Sequence, residues 1–199
     1  MDSILKQIYE FDHNILLYIQ EHLRFSILTP VMDISSMLVN LGLIWVISCI
    51  VLLFFKKTRL LGAMGLSSLL LCLLINNVLI KNTVARARPF DTYNDLIPLT
   101  AKRPTDYSFA SGHTTASFAA AGIFVRLIPR PLAVLTVVYA FLVAFSRLYL
   151  GVHYPTDVLC GMAIGIIGST IIYYIYSKKF DLKEYSARFR KSGTDLSER

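Results

Sequence analysis

Ser146-Arg147-Leu148-Tyr149-Leu150-Gly151-Val152-His153-Tyr154-Pro155-Thr156-Asp157 joins two strongly apolar segments and puts an arginine, a histidine and an aspartate at the junction. Pro155 suits the first residue of a helix, where its missing N–H has no partner to lose. His153 then sits just outside that helix and Asp157 in its first turn. A carboxylate so placed can fix the tautomer and orientation of an imidazole. Arg147 ends the preceding segment, so its guanidinium reaches the same spot. The trio suits nucleophilic attack on a phosphate. It equally suits a polar cluster anchoring helix ends at a membrane surface, and on this stretch alone the two readings have even weight.

The flanking segments set the environment. Over half of the 199 residues are hydrophobic, and the mean hydropathy is +0.56, which is unusual for a soluble globule. The length predicts one domain. Five apolar runs approach the roughly 20 residues that a crossing helix needs: about 41–55, 60–80, 112–128, 132–149 and 155–177. The pattern predicts an all-α, polytopic helical membrane bundle of these five spans, with an N-terminal interfacial helix and a possible sixth membrane helix. Residues 4–22 repeat Ile4, Ile8, Phe11, Ile15 and Ile19 with Asp2, Glu10, Asp12 and Glu21 between them, which reads as an amphipathic helix lying in the interface. His13 and His22 read as interface residues on it. Residues 25–40 contain Pro30, Asp33 and Asn40 and make either a poor span or a helix that dips into the membrane. The first residues do not read as a cleavable signal peptide. The expected organisation is a single integral membrane domain over 1–177, with the interfacial helix in 1–24 and an outward-facing loop over 81–111, followed by a basic cytoplasmic tail over 178–199.

The formal net charge is +7. Basic flanks and tails explain it in a membrane protein, so no nucleic-acid partner is expected. The cysteines Cys49, Cys72 and Cys160 lie in apolar runs and read as packing residues. About twice as many basic residues fall on the side of Lys56, Lys57, Arg59, Arg126, Arg130 and the tail as on the side of Lys81, Arg86, Arg88, Lys102, Arg103 and Arg147. The richer side marks the cytoplasm. If residues 25–40 cross the membrane, both termini lie inside; if they dip, the N-terminus lies outside.

Two further motifs share the outward face with the opening stretch. Lys81 is followed at the exit of the second span by Arg88-Pro89, and Ser111-Gly112-His113 starts the third span. Singly, Lys81 and Arg88 read as snorkelling anchors and Ser111 as a helix cap. Jointly, Lys81, Arg88 and Arg147 converge at the membrane edge, where like charges repel unless an anion sits between them. Ser111 opens a helix whose free N–H groups favour an anion, and Gly112 lets backbone approach a ligand closely. These features describe a phosphate cradle flanked by two histidines, one able to attack phosphorus and the other to protonate the leaving oxygen. A zinc site of His113, His153 and Asp157 competes with this reading, but the adjacent cations would repel a dication. No metal and no cofactor are expected.

With these motifs in place, the sequence resembles the type 2 phosphatidic acid phosphatases, whose superfamily also includes vanadium haloperoxidases and glucose-6-phosphatase. The resemblance rests on Lys81 to Pro89, Ser111-Gly112-His113, and Ser146-Arg147 with His153 and Asp157. Ala110 stands where that family usually has proline. The resemblance implies an acid phosphatase/vanadium haloperoxidase-like helical core and a metal-independent phosphomonoesterase or diphosphatase. In it His153 is the nucleophile, forming a phosphohistidine, Asp157 holds His153, and His113 is the general acid. Lys81, Arg88, Ser111, Gly112 and Arg147 bind the phosphoryl oxygens.

The loop from Phe90 to Phe109 mixes aromatic and polar residues. It reads either as a guide for a lipid tail or as an ordinary membrane-facing loop. The expected partners are the bilayer and a lipid phosphate substrate in the outer leaflet of a bacterial plasma membrane. Undecaprenyl diphosphate, converted to undecaprenyl phosphate, leads. Phosphatidic acid and phosphatidylglycerophosphate follow. A lipid phosphotransferase and a non-enzymatic lipid-phosphate binder or transporter are the competing functions.

Overall fold

The computed structural model describes residues 2–100 and 103–194, so Lys102 and Arg199, read above as outward-facing and tail residues, lie outside them. Among the described residues the chain is all-helical. Helix α1 (Asp2–His22) is followed by α2 (Leu28–Leu38), a short 3-10 turn at Asn40–Gly42, and α3 (Leu43–Phe54). Helix α4 (Arg59–Leu74) runs on through a π-helical stretch, Ile75–Ile80, into α5 (Lys81–Val84). The short α6 (Pro89–Thr92) lies in the connecting loop. Then come α7 (Gly112–Leu127), α8 (Arg130–Tyr149), α9 (Pro155–Ser177) and α10 (Leu182–Thr194).

Helix α7 is the centre of the bundle and packs against α4, α8 and α9. Its run of Ala116, Ser117, Ala119, Ala120 and Ala121 is buried throughout. Small residues let helix backbones approach closely, which is how helices associate where lipid removes most of the hydrophobic drive. Helix α9 answers with glycines. A Cβ at Gly161 would lie 2.7 Å from the Ser111 carbonyl, and one at Gly165 would lie 2.8 Å from the Ala119 nitrogen. This close seam brings the first turns of α7 and α9 together. On its other sides α7 is held by polar bonds, with Ser68 Oγ of α4 donating to the Ala119 carbonyl (2.8 Å) and Trp45 Nε1 of α3 to Ser117 Oγ (3.1 Å).

Among the described residues three helical stretches are long and apolar enough to cross a bilayer: Arg59–Thr92, Arg130–Tyr149 and Pro155–Ser177. The α2–α3 pair, bent by 49°, makes a fourth if it counts as one span. Helix α7 has 16 residues, about 24 Å of helix at 1.5 Å per residue, and is wrapped by its neighbours. The expected first span, 41–55, is therefore the second half of a broken element. The break sits at Leu41 and Gly42, both in the left-handed region (φ 54° and 72°). The Phe25 N–H bonds to Tyr149 Oη at one end of the bundle, and Tyr185 Oη of α10 bonds to the Lys57 carbonyl at the other.

Helix α1 departs from its expected pattern. Its buried face is Asp12, Leu16 and Ile19, while Ile4, Ile8 and Phe11 are exposed. The first half of the apolar stripe faces outward while Ile19 packs inward, and Asp12, expected on the polar side, is fully buried. The expected loop over 81–111 begins with helix, because α4 continues to Val84, and the tail after Lys178 forms α10.

Candidate active site

The turn between α8 and α9 is shaped by Gly151, whose φ of +70° is left-handed; a Cβ there would also meet Arg24 Nη2 at 2.8 Å. Pro155 takes the first helical position of α9 and Asp157 lies in its first turn, as the sequence predicts. Asp157 Oδ2 accepts the Tyr154 N–H (2.9 Å) and the Ser108 hydroxyl. His153 Nδ1 stands 3.4 Å from the same oxygen. On the far side of the ring, Arg88 Nη1 is 3.4 Å from His153 Nε2. A guanidinium only donates, so this arrangement places the imidazole proton on Nδ1, towards Asp157, and the lone pair of Nε2 among the cations. Burial holds the His153 pKa down at about 3; the hydrogen bond and charge of Asp157 oppose this, while Arg88 and Arg147 add to it. His153 is therefore neutral, as a nucleophile must be.

The structure gathers the three expected cations. Arg88 and Arg147 are buried, and the Lys81 side chain is 11% exposed. Lys81 and Arg88 both pair with Asp106. Arg147 Nη1 donates to Ser36 Oγ of α2. The anion expected between the cations is thus partly supplied by the chain itself. His113 stands in the first turn of α7, within electrostatic reach of Arg147, His153, Lys81 and Arg88. Ser111 precedes α7 but its hydroxyl does not cap the helix; instead Thr114 Oγ1 donates to it (3.0 Å). The Ser111 N–H is fixed to the Asp157 carbonyl (3.1 Å), which ties the two histidine-bearing turns together. A Cβ at Gly112 would make ordinary contact with Asn77 Oδ1 at 3.5 Å, so packing does not demand this glycine.

Four residues that the sequence reading did not assign to the site complete it. Asp106 and Ser108 come from the loop before α7. Arg86 bridges two buried carboxylates: its Nη1 donates to Asp157 Oδ1 (2.8 Å) and its Nη2 to Asp12 Oδ2 (2.6 Å). The rings of Tyr154 and Tyr9, set at 88° to each other, both lie against the guanidinium, with centroids 3.7 and 4.7 Å from it. Ala85, in the left-handed region at φ 48°, ends α5 immediately before Arg86. The one legible signal was a second arginine two residues before Arg88. Asn76 gives a further link, because its Nδ2 reaches the Ala110 carbonyl (3.2 Å) from the π-helical stretch. Such stretches recur at functional sites.

Removing Arg86 leaves Asp12 and Asp157 as buried charges without their shared partner. Breaking a buried pair costs about 3–5 kcal/mol. Arg86→Ala is expected to lower the thermal midpoint of the detergent-solubilised protein sharply, and Arg86→Lys to recover part of the loss. An unchanged midpoint in Arg86→Ala would show that the bridge carries no such weight.

A cavity of about 570 Å³ is lined by Trp45, Leu61, Phe124, Leu132 and Tyr139 among others, and touches none of these residues.

A neutral, oriented imidazole facing a cluster of cations at one end of an apolar helical bundle is equipped to handle a phosphoryl group at a membrane. The chain belongs to the PAP2 superfamily, whose sequence profile matches residues 56–181. It is 35% identical over 122 residues to an undecaprenyl-diphosphatase of Sulfolobus acidocaldarius, a match covering 61% of this chain and 58% of that protein. The chain thus spans little more than half the length of that relative. It is 32% identical over 160 residues to a lipid A 4'-phosphatase of Porphyromonas gingivalis, covering 74% and 67%. Among solved structures it resembles the PAP2-type phosphatidylglycerolphosphate phosphatase of Bacillus subtilis, with a TM-score of 0.71, 27% identity, and 86% and 87% of the two chains covered. These likenesses identify an integral membrane protein of this fold. Asp12 lies outside the matched profile, in a helix the profile does not describe.

Proposed function

We propose that this protein is a metal-independent membrane phosphatase that hydrolyses a phosphate or diphosphate ester of an outer-leaflet lipid through a phosphohistidine on His153. The observation that carries the reading is His153 itself: Nδ1 faces Asp157 and Nε2 faces Arg88. In the first step the Nε2 lone pair attacks phosphorus. The bond from phosphorus to the leaving oxygen breaks, and His113 gives that oxygen its proton. In the second step His113 takes a proton from water, whose oxygen attacks the phosphohistidine and frees His153 and inorganic phosphate. Lys81, Arg88 and Arg147, with the Ser111 hydroxyl and the Gly112 N–H, hold the phosphoryl oxygens. The fixed cations take the part a metal ion plays elsewhere.

Undecaprenyl diphosphate is the leading substrate, supported by the Sulfolobus relative's name. Phosphatidic acid and phosphatidylglycerophosphate come next, the latter named for the Bacillus structure. Purified protein offered undecaprenyl diphosphate, phosphatidylglycerophosphate, phosphatidic acid and lipid A, with phosphate release measured in the presence of chelator, tests the reading. Release from none of them would refute it. Phosphate passed to an acceptor alcohol in preference to water would move it to the phosphotransferase.

The α2–α3 pair read as one broken crossing gives five crossings, with α1 and the active site outside and α10 inside. The basic residues of α10 and of the loops beside it support that orientation. In intact cells a cysteine at Asn94 is expected to react with an impermeant thiol reagent and one at Lys183 is not. The reverse pattern would turn the site to the cytoplasm and remove the outer-leaflet substrates.

A further inference from the structure

Two of the cations that would hold a phosphate already hold a carboxylate. Every nitrogen of the Arg88 guanidinium is engaged by the chain: Nε by the Asp106 carbonyl (2.8 Å), Nη2 by Asp106 Oδ1 (2.7 Å) and Nη1 by the Val152 carbonyl (2.6 Å). Lys81 Nζ donates to Asp106 Oδ2. A phosphate therefore reaches Lys81 and Arg88 by displacing the Asp106 side chain. Partial burial disfavours the Asp106 carboxylate, but the hydrogen bonds and charges of Lys81 and Arg88 outweigh it and hold its pKa well below the usual carboxylate range. The Asp106 side chain is 56% exposed, whereas that of Arg88 is 3% exposed. A rotation of Asp106 towards solvent frees both cations, and its backbone carbonyl can stay on Arg88. Arg147 differs. Among the described residues it forms no ion pair with a carboxylate, and its buried Nε has no hydrogen-bond partner. An anion that reaches it displaces no carboxylate.

We propose that Asp106 is a specificity-determining residue, an internal anion that yields to a phosphate group carrying more than one negative charge and not to a phosphodiester. The proposal rests on the reading of this site as one for lipid phosphates. A phosphodiester carries a single charge, as the Asp106 carboxylate does. Exchanging one for the other gains no Coulomb energy and breaks an ion pair that is already assembled. A phosphomonoester carries about −1.5 to −2 at neutral pH, and a diphosphate monoester more, so each gains on exchange. The distinction matters at the membrane edge, because the headgroups of the surrounding phospholipids are phosphodiesters at high local concentration. Without Asp106 the same cations would be open to all of them.

The test compares two water-soluble anions on the full-length protein in detergent micelles: glycerophosphoglycerol, a phosphodiester, and inorganic phosphate. Affinity is read from the concentration dependence of thermal stabilisation. The wild type is expected to bind phosphate much more tightly than the diester. Asp106→Asn should strengthen diester binding by about ten- to a hundredfold, the range for a hydrogen bond to a charged group, and phosphate binding by less, so the discrimination collapses. Asp106→Glu should keep it. Equal affinities in the wild type would overturn the proposal without any variant, as would weakened or unchanged diester binding in Asp106→Asn. If that variant fails to fold, Asp106→Ser carries the same expectation. Both ligands are read by binding alone. Failure of the phosphatase reading, seen as no release from any lipid phosphate, is therefore distinguishable from failure of the filter.

Discussion

His153→Ala is expected to abolish phosphate release while the protein stays folded and inserted. The imidazole is buried, and its Nε2 is the ring atom that faces the cation cluster. No other side chain near that point pairs a neutral lone pair with a carboxylate behind it. Removing one of two catalytic partners in a nucleophile–orienter pair costs nearly the whole chemical advantage, because the pair acts as a unit. The fold should survive. Asp157 keeps Arg86, Ser108 and the Tyr154 N–H as partners. The variant should also differ from the wild type in its stability at low pH. With the His153 pKa near 3 in the folded protein and an ordinary value of 6.5, the ring is neutral in both states above pH 6.5. As pH falls from there towards 3, the unfolded chain takes up a proton that the folded chain refuses, and stability is lost. His153→Ala removes that loss, so its thermal midpoint should fall less steeply across this window. Near-wild-type turnover in the variant would show that His153 is not the nucleophile.

His113→Ala should discriminate between leaving groups. A lipid alkoxide leaves poorly and needs a proton, whereas p-nitrophenolate does not. One positioned acid typically contributes about 10²–10⁴-fold, and the loss should fall on the lipid substrate. His113 must be protonated and His153 neutral when substrate is bound, so kcat, which reports the groups of the bound complex, should follow a bell. Its acid limb belongs to His153, and its alkaline limb should vanish in His113→Ala. Equal losses on both substrates would mean that His113 only binds phosphate.

The fold was legible wherever hydropathy is periodic and uninterrupted. The fifth span was read as 155–177 and α9 is Pro155–Ser177, because a proline start and an unbroken apolar run fix both ends. Backbone geometry is where the sequence falls silent. A boundary between residues 40 and 41 is legible from Pro30, Asp33 and Asn40, and the chain does break at Leu41 and Gly42, but nothing in the residue type of Leu41 marks a left-handed turn or the 49° bend between α2 and α3. In α1 the isoleucine spacing is real but its two ends part, Ile4 and Ile8 being exposed and Ile19 buried against the bundle, since a helix at a membrane has two apolar surroundings to choose between. The motif residues gathered as expected because each sits at the end of an apolar run, and the packing of those runs brings their ends together. Arg86, Asp12, Asp106 and Ser108 were not assigned to the site for the complementary reason. Their roles come from pairings across 49 to 74 residues of chain or within an irregular loop, and spacing carries no trace of them. Asp12 is the sharpest case, a carboxylate that looks like ordinary polar-face chemistry until Arg86 is found against it.

The most direct test of the phosphohistidine is a rapid acid- or base-quench of the enzyme with a substrate labelled at the transferred phosphate, followed by peptide mapping. Phosphohistidine survives base and is lost in acid. The account predicts a base-stable label on the peptide holding His153, formed within one turnover and absent from His153→Ala. A label on the His113 peptide, or single-turnover release with no covalent label at any time point, would contradict it.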